Sequence, residues 1–203
     1  MTNKKYNSIE EILEESKKGN IAALYWVAEC YYLSNYTIKG SKKKSLELFL
    51  QAAEKGHARS QRAVGDIYEE KGDVKQAIYW YMKFWKNPNT GIVNKTSIIK
   101  KLAEIYYKGA SPLKRDYKKA LRMYLYLAKN NKSDTRYTWK GRPSAKFIVA
   151  TMYEKGQGTT VNMKKAKYWY NAAIKGKDIN ALIKFKKVDI KNVKDCKTCI
   201  RLY

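Results

Sequence analysis

The chain has 203 residues, with 43 Lys or Arg against 18 Asp or Glu and a formal net charge of +25. A hydrophobic content of 44% is enough to build a core, which excludes wholesale disorder, and only three Pro and 11 Gly disfavour a turn-rich all-β domain. One His, three Cys and no glycine-rich phosphate loop leave few parts for catalysis, so the composition points away from an enzyme and from a cofactor.

In chain order, the first eight residues contain no signal-peptide core, and no later run approaches the roughly 18 apolar residues of a membrane span. The expectation is a cytoplasmic protein, with signal-independent export left open. Ser8–Lys18 predicts a single amphipathic helix, started by a capping box of Ser8 with Glu11. A recurring pattern then begins. Val27-Ala28-Glu29-Cys30-Tyr31 is followed by Lys44-Ser45, Leu48-Phe49, Ala52-Ala53 and Gly56. Val64-Gly65-Asp66-Ile67-Tyr68 is followed by Gly72, Gln76-Ala77 and Trp80-Tyr81. Pro88–Asn94 reads as a plain turn. Leu102-Ala103-Glu104-Ile105-Tyr106 precedes Lys119-Ala120 and Met123-Tyr124, and an insertion from Asn130 to Pro143 comes next. The last copy is Val149-Ala150-Thr151-Met152-Tyr153, then Lys165-Ala166, Trp169-Tyr170, Ala172-Ala173 and Gly176.

Both halves of the pattern have helical spacing, because residues at i, i+3 and i+4 share one face. The small residue admits a partner helix, and the Tyr one turn later fills the space beyond. Gly56, Gly72 and Gly176 are expected to end helices in a left-handed conformation. The motif tyrosines are spaced by 37, 38 and 47 residues, so each unit is a pair of antiparallel helices. One such pair cannot bury its apolar stripe, and successive pairs must stack. The expected fold is an all-α solenoid, a right-handed superhelix of four two-helix repeats over 19–56, 57–94, 95–141 and 142–176. Half-repeats at 7–18 and 177–187 cap this single 1–187 domain, and 188–203 forms a basic tail.

These residues resemble the Sel-one-like repeat (SLR) family, a relative of the tetratricopeptide repeat. Gly56-His57-Ala58, Val64-Gly65 and Tyr68 match the first half of the family pattern. Tyr153, Gly156-Gln157-Gly158, Val161, Lys165-Ala166, Trp169-Tyr170 and Ala172-Ala173 match the rest. The first unit departs by having Ser45 where Ala is usual, and the third lacks the Trp. The resemblance covers about residues 19–187. It implies a non-catalytic protein–protein scaffold, an adaptor or regulator, or in bacteria a host-interaction factor or an immunity protein that neutralises a toxin.

Candidate contact residues follow from the register. On the first helix of each unit, one face carries Tyr25, Glu29 and Tyr32; Arg62, Asp66 and Glu69; Lys100, Glu104 and Tyr107; and Phe147, Thr151 and Glu154. In related solenoids this face lines the concave groove, and it predicts a site for a peptide or protein edge. The alternative is a solvated face with pairs such as Arg62 with Asp66 at i, i+4. Basic residues cluster where each second helix starts, at Lys42, Lys43 and Lys44, at Lys114, Arg115 and Lys118, and at Lys164 and Lys165. Stacked, they would form a ridge for an acidic partner protein, nucleic acid or an anionic membrane. The favoured partner is a protein with an acidic surface, nucleic acid is the runner-up, and a monomer is the expected state. In the insertion, Arg136, Tyr137, Trp139 and Arg142 suit a contact site. Cys196 and Cys199 make a lone CxxC with no further ligands, so no metal site is expected. His57 is expected to cap a helix, and Glu69-Glu70 beside Lys71 to be solvated charge.

Overall fold

The computed structural model describes residues 8–34, 40–130 and 143–185, with 92–94 as backbone only. Ten helices and no strand lie among the described residues. They are α1 (Ile9–Lys17), α2 (Ile21–Leu33), α3 (Lys42–Glu54), α4 (Ala58–Glu70), α5 (Val74–Lys86), α6 (Ile92–Lys108), α7 (Tyr117–Asn130), α8 (Ala145–Lys155), α9 (Met163–Lys175) and α10 (Ile179–Lys184). The fold is thus a series of helical pairs: α2 with α3, α4 with α5, α6 with α7, and α8 with α9. The first member of each pair is the A helix and the second the B helix. The described residues form two compact units. One runs to Ile98 and takes in Ser111–Leu113; the other comprises Ile99–Ala110 and the residues from Lys114.

Each A-to-B turn closes in the same way despite different loop lengths. The N–H of the residue capping the B helix donates to the carbonyl of the motif tyrosine: Ser41 to Tyr31 (3.1 Å), Asp73 to Tyr68 (2.9 Å), Asp116 to Tyr106 (2.8 Å) and Asn162 to Tyr153 (2.9 Å). The capping side chains then accept from the third residue onward, as in Lys165 N to Asn162 Oδ1 at 2.9 Å. The B-to-A turns close over five residues, with His57 N donating to Ala52 O and Asp178 N to Ala173 O, each at 3.0 Å. These bonds satisfy the orphan carbonyls at the helix ends. Gly56 and Gly72 have φ of 86° and 76°, as the sequence predicts. Gly176 does not: its φ is −80°, and the left-handed residue is Lys177 at 57°. The turn placed at Pro88–Asn94 is also shorter, because α6 begins at Ile92. It is not plain either. Asn87 is buried and donates to Gly56 O (2.8 Å) and Gln61 Oε1 (3.0 Å), which fixes the exit of α5 on the start of α4.

In the first unit the core gathers Ala28, Phe49, Ala53, Val64, Ile67 and Trp80. Truncating a side chain as buried as Phe49 costs about 3–5 kcal/mol, so this cluster dominates the unit's stability. Ser45 stands at the small position without cost, since its buried Oγ donates to Ala28 O at 2.9 Å. In the second unit the equivalent positions Leu102, Ala103, Val149, Ala150 and Ala166 are all buried. The single helices α1 and α10 precede and follow the pairs. Ser8 Oγ accepts from Glu11 N at 3.2 Å, the expected cap.

Candidate functional site

Of the A-helix face predicted for contact, Arg62 and Glu69 are exposed and the rest half-buried, and in the first unit its two rows meet. The hydroxyl of Tyr32 on α2 donates to Glu70 Oε1 on α4 at 2.8 Å. The Tyr25 ring tilts against Phe49 at 5.8 Å and His57 at 4.9 Å. Burial, then a hydrogen bond to Glu29, pushes the Tyr25 hydroxyl up to about 12, so it stays a donor at neutral pH. Arg62 Nε lies 3.5 Å from Asp66 Oδ2, the i, i+4 pair read from the sequence.

The carboxylates of this face rest on a residue that the sequence reading used only as packing. Tyr81 of α5 is fully buried, and its hydroxyl lies 2.7 Å from Asp66 Oδ1 and 2.8 Å from Glu69 Oε2. Burial, then these two bonds, drives its pKa upward and keeps the proton on the oxygen. Gly65 makes the approach possible, since a Cβ there would stand 2.5 Å from the Tyr81 ring. Glu69 and Glu70 are therefore not simply solvated charge: each takes a tyrosine hydroxyl. Lys42 joins them, 3.7 Å from Glu70 Oε2 and over the Tyr32 ring at 6.0 Å.

The second unit repeats the device with a different outcome. Lys100, Glu104 and Tyr107 lie half-buried on α6, with Phe147, Thr151 and Glu154 on α8. Tyr107 donates to Gln157 Oε1 at 3.3 Å and packs edge-on against Tyr117 and Tyr124. Burial, then the Glu104 charge, raises the pKa of Tyr124. Glu154 accepts from the Tyr170 hydroxyl at 2.6 Å and from Lys184 Nζ at 2.6 Å, and Lys184 also lies 4.4 Å from the centre of the Tyr170 ring. The Lys184 bond is the main reason the Glu154 carboxyl sits below its usual range. Phe147 and Phe185 pack edge-on against the same ring, at 5.5 and 5.2 Å. In the fourth repeat Glu154 is thus engaged by Lys184 of α10, while Phe147 and Thr151 meet Tyr170 of α9. The sequence shows only that Phe49, Tyr81, Tyr124 and Tyr170 occupy one register column, not which carboxylates their hydroxyls meet.

The predicted basic ridge divides into two kinds of residue. Lys44 lies over Tyr31 at 5.5 Å, Lys119 over Tyr106 at 5.2 Å and Lys165 over Tyr153 at 5.3 Å. These lysines stack on the motif tyrosine of their own repeat, a structural use of charge. Arg115 Nε donates to Lys108 O at 3.1 Å. Lys43, Lys114, Lys118 and Lys164 are exposed. Arg136, Tyr137, Trp139 and Arg142, like Cys196 and Cys199, lie outside the described residues. Cys30 is a buried free thiol whose pKa burial raises. His57 is the predicted cap: its Nδ1 lies 3.3 Å from the Ser60 N–H it accepts and 2.8 Å from Ser60 Oγ. Among the described residues no cluster of His, Cys, Asp and Glu could hold a metal, and no helix is long and apolar enough to cross a membrane.

Four stretches, 21–57, 58–83, 100–132 and 143–178, match the Sel1 repeat family. The chain is 25% identical over 197 residues to the chitin synthase regulator SKT5 of Saccharomyces cerevisiae, which covers 92% of this chain and 26% of that protein. It is 27% identical over 158 residues to an exopolysaccharide production negative regulator of Rhizobium leguminosarum bv. viciae, covering 72% of this chain and 55% of the relative. The chain thus spans between a quarter and little over half of these relatives. A Sel1 repeat protein from Oxalobacter formigenes has a similar structure, with a TM-score of 0.57 and 20% identity over 86% of this chain and 66% of that one. So has c5321, a protective antigen of uropathogenic Escherichia coli with an SLR fold, with a TM-score of 0.55 and 19% identity over 92% of this chain and 38% of that one. At these identities the likeness to both structures is one of fold.

Proposed function

The chain belongs to the Sel1 repeat family, and from that premise we propose that it is a non-catalytic scaffold holding a partner protein on the A-helix face of its repeats. Sel1 repeats generally mediate protein–protein interaction, and the relatives above are named as regulators. The observation that carries the reading is the face built by α2 and α4. Tyr25 and Tyr32 offer amphipathic rings, while Glu29, Asp66, Glu69 and Glu70 are oriented by tyrosine hydroxyls rather than left to swing. Aromatic area beside pre-oriented charge is what interface hot spots use, because little side-chain entropy remains to be lost.

The segment this face would take is extended and carries Lys or Arg. An acidic partner surface would instead meet the B helices, where the excess positive charge lies. A regulatory adaptor is favoured over an immunity protein by the names of the relatives, and cytoplasmic residence is part of the same proposal. The test is to identify the partner by cross-linking in the native source and measure its affinity by calorimetry. Tyr32→Ala and Glu69→Lys, both at solvent-accessible positions, should each weaken binding about tenfold or more. Unchanged affinity in both variants would place the partner elsewhere.

A further inference from the structure

The outward stripe of each B helix is the strongest feature left over. It is formed by residues at i, i+4, i+7 and i+11, which share one helical face. In α3 these are Lys43, Glu47, Leu50 and Glu54, a mixed set, whereas in α5 they are Lys75, Tyr79, Met82 and Lys86. In α7 they are Lys118, Arg122, Leu125 and Lys129, and in α9 they are Lys164, Tyr168, Asn171 and Lys175. Helices α5, α7 and α9 contain no acidic residue at all. Lys118, Lys129, Lys164 and Lys175 are exposed, and none is in an ion pair among the described residues. In the second unit the loop that enters α9 lies against the start of α7. Gly158, in the loop entering α9, approaches the Tyr117 carbonyl of α7 so closely that a Cβ there would collide with it.

We propose that this α7–α9 surface docks on an anionic lipid membrane, leaving the A-helix face for a partner protein. Charge alone would suit any polyanion, but the uncharged residues decide between them. Val161, Met163 and Tyr168 are 61%, 60% and 66% exposed, in and beside the lysine stripe of α9. Aliphatic side chains gain nothing from a phosphate backbone and gain from immersion at the boundary between headgroups and acyl chains. Tyrosine prefers that same interface, and lysine stems snorkel to keep their charge in the headgroup layer. Arg122 is the one arginine of α7 and α9, so the bidentate phosphate forks that favour nucleic acid are scarce.

The experiment is co-sedimentation of the 203-residue chain with phosphatidylcholine vesicles containing 30% phosphatidylserine, and with pure phosphatidylcholine vesicles. Binding is expected to the anionic vesicles only, and to weaken with added salt. Each lysine near such a surface contributes about fivefold in affinity. Lys118→Gln, Lys129→Gln and Lys164→Gln together should therefore weaken binding about a hundredfold, with an unchanged melting temperature. Met163→Ser with Tyr168→Ser should weaken it at unchanged charge. Equal binding of the lysine variant, equal binding to neutral vesicles, or displacement of the vesicles' signal onto an added RNA duplex insensitive to the Met163 and Tyr168 changes would each overturn the proposal. Failure here leaves the A-helix face untouched, since that face is tested by other residues and another ligand.

Discussion

Replacing Gly65 by Ala tests whether the Tyr81 support governs the α4–α5 pair. In an ordinary helix interior the change stabilises by about 1 kcal/mol, since Gly loses more backbone entropy on folding. Here the added Cβ would stand 2.5 Å from Cδ1 and Cε1 of Tyr81, and the ring is fully buried. It cannot simply swing away, because its hydroxyl is held by Asp66 and Glu69. Overpacking of this kind costs about 1–3 kcal/mol. At the upper end, about 3 kcal/mol less the 1 kcal/mol of propensity leaves a net loss of about 2 kcal/mol. In a chain of this size that lowers the melting temperature by roughly 4–8 °C. Urea denaturation followed by circular dichroism measures it, with Tyr81→Leu and the double variant completing a cycle. The double variant should recover most of the Gly65→Ala loss, because the ring has gone. Ala28, Ala103 and Ala150 occupy the same register position in the other repeats, and in the last two the position matching Tyr81 is also a tyrosine, Tyr124 and Tyr170. The sharp result against the reasoning is therefore a stabilised Gly65→Ala protein, which would mean that the second repeat relaxes to the spacing its neighbours already use.

Three further outcomes are expected. His57 caps α4 through an unprotonated Nδ1, and burial, then the Arg59 charge, holds its pKa below 6.5. Its contribution is complete above pH 6.5 and is lost as pH falls through the lowered value, so the melting temperature should drop between pH 7.5 and 5; His57→Asn, which keeps a cap, should flatten that drop, and an equal drop in the variant would refute the assignment. Asp178 is buried, caps α10 and accepts from Ser144 N at 2.7 Å, so Asp178→Ala should cost about 2–3 kcal/mol in denaturant unfolding, against less than 0.5 kcal/mol if these bonds are immaterial. Gly158→Ala combines a φ of 75° with collision against the Tyr117 backbone, and should lower the melting temperature more than Gly72→Ala, which has a similar φ of 76° but no neighbour within 4 Å.

The order of helices, their pairing and the identity of most core positions were determined by the sequence itself, because helical periodicity, small residues and cap residues act over four or five positions. Ala28, Val64, Leu102 and Val149 are buried for the reason their spacing implies, and His57 caps the helix it precedes. Sequence-local rules also mislead only locally: Gly176 yields its left-handed role to Lys177, and α6 starts three residues earlier than the repeat boundary suggests. The tertiary structure alone decided how charges are used. Asp66 and Glu69 are 15 and 12 residues from Tyr81, and Lys184 is 30 from Glu154, separations at which no pattern of neighbours can report a hydrogen bond. The same packing laid Lys44 and Lys165 over a motif tyrosine, although they are as exposed as their neighbours Lys43 and Lys164. A one-residue step along a helix turns a side chain by about 100°, so adjacent lysines that read as one cluster in the sequence belong to different surfaces of the folded chain.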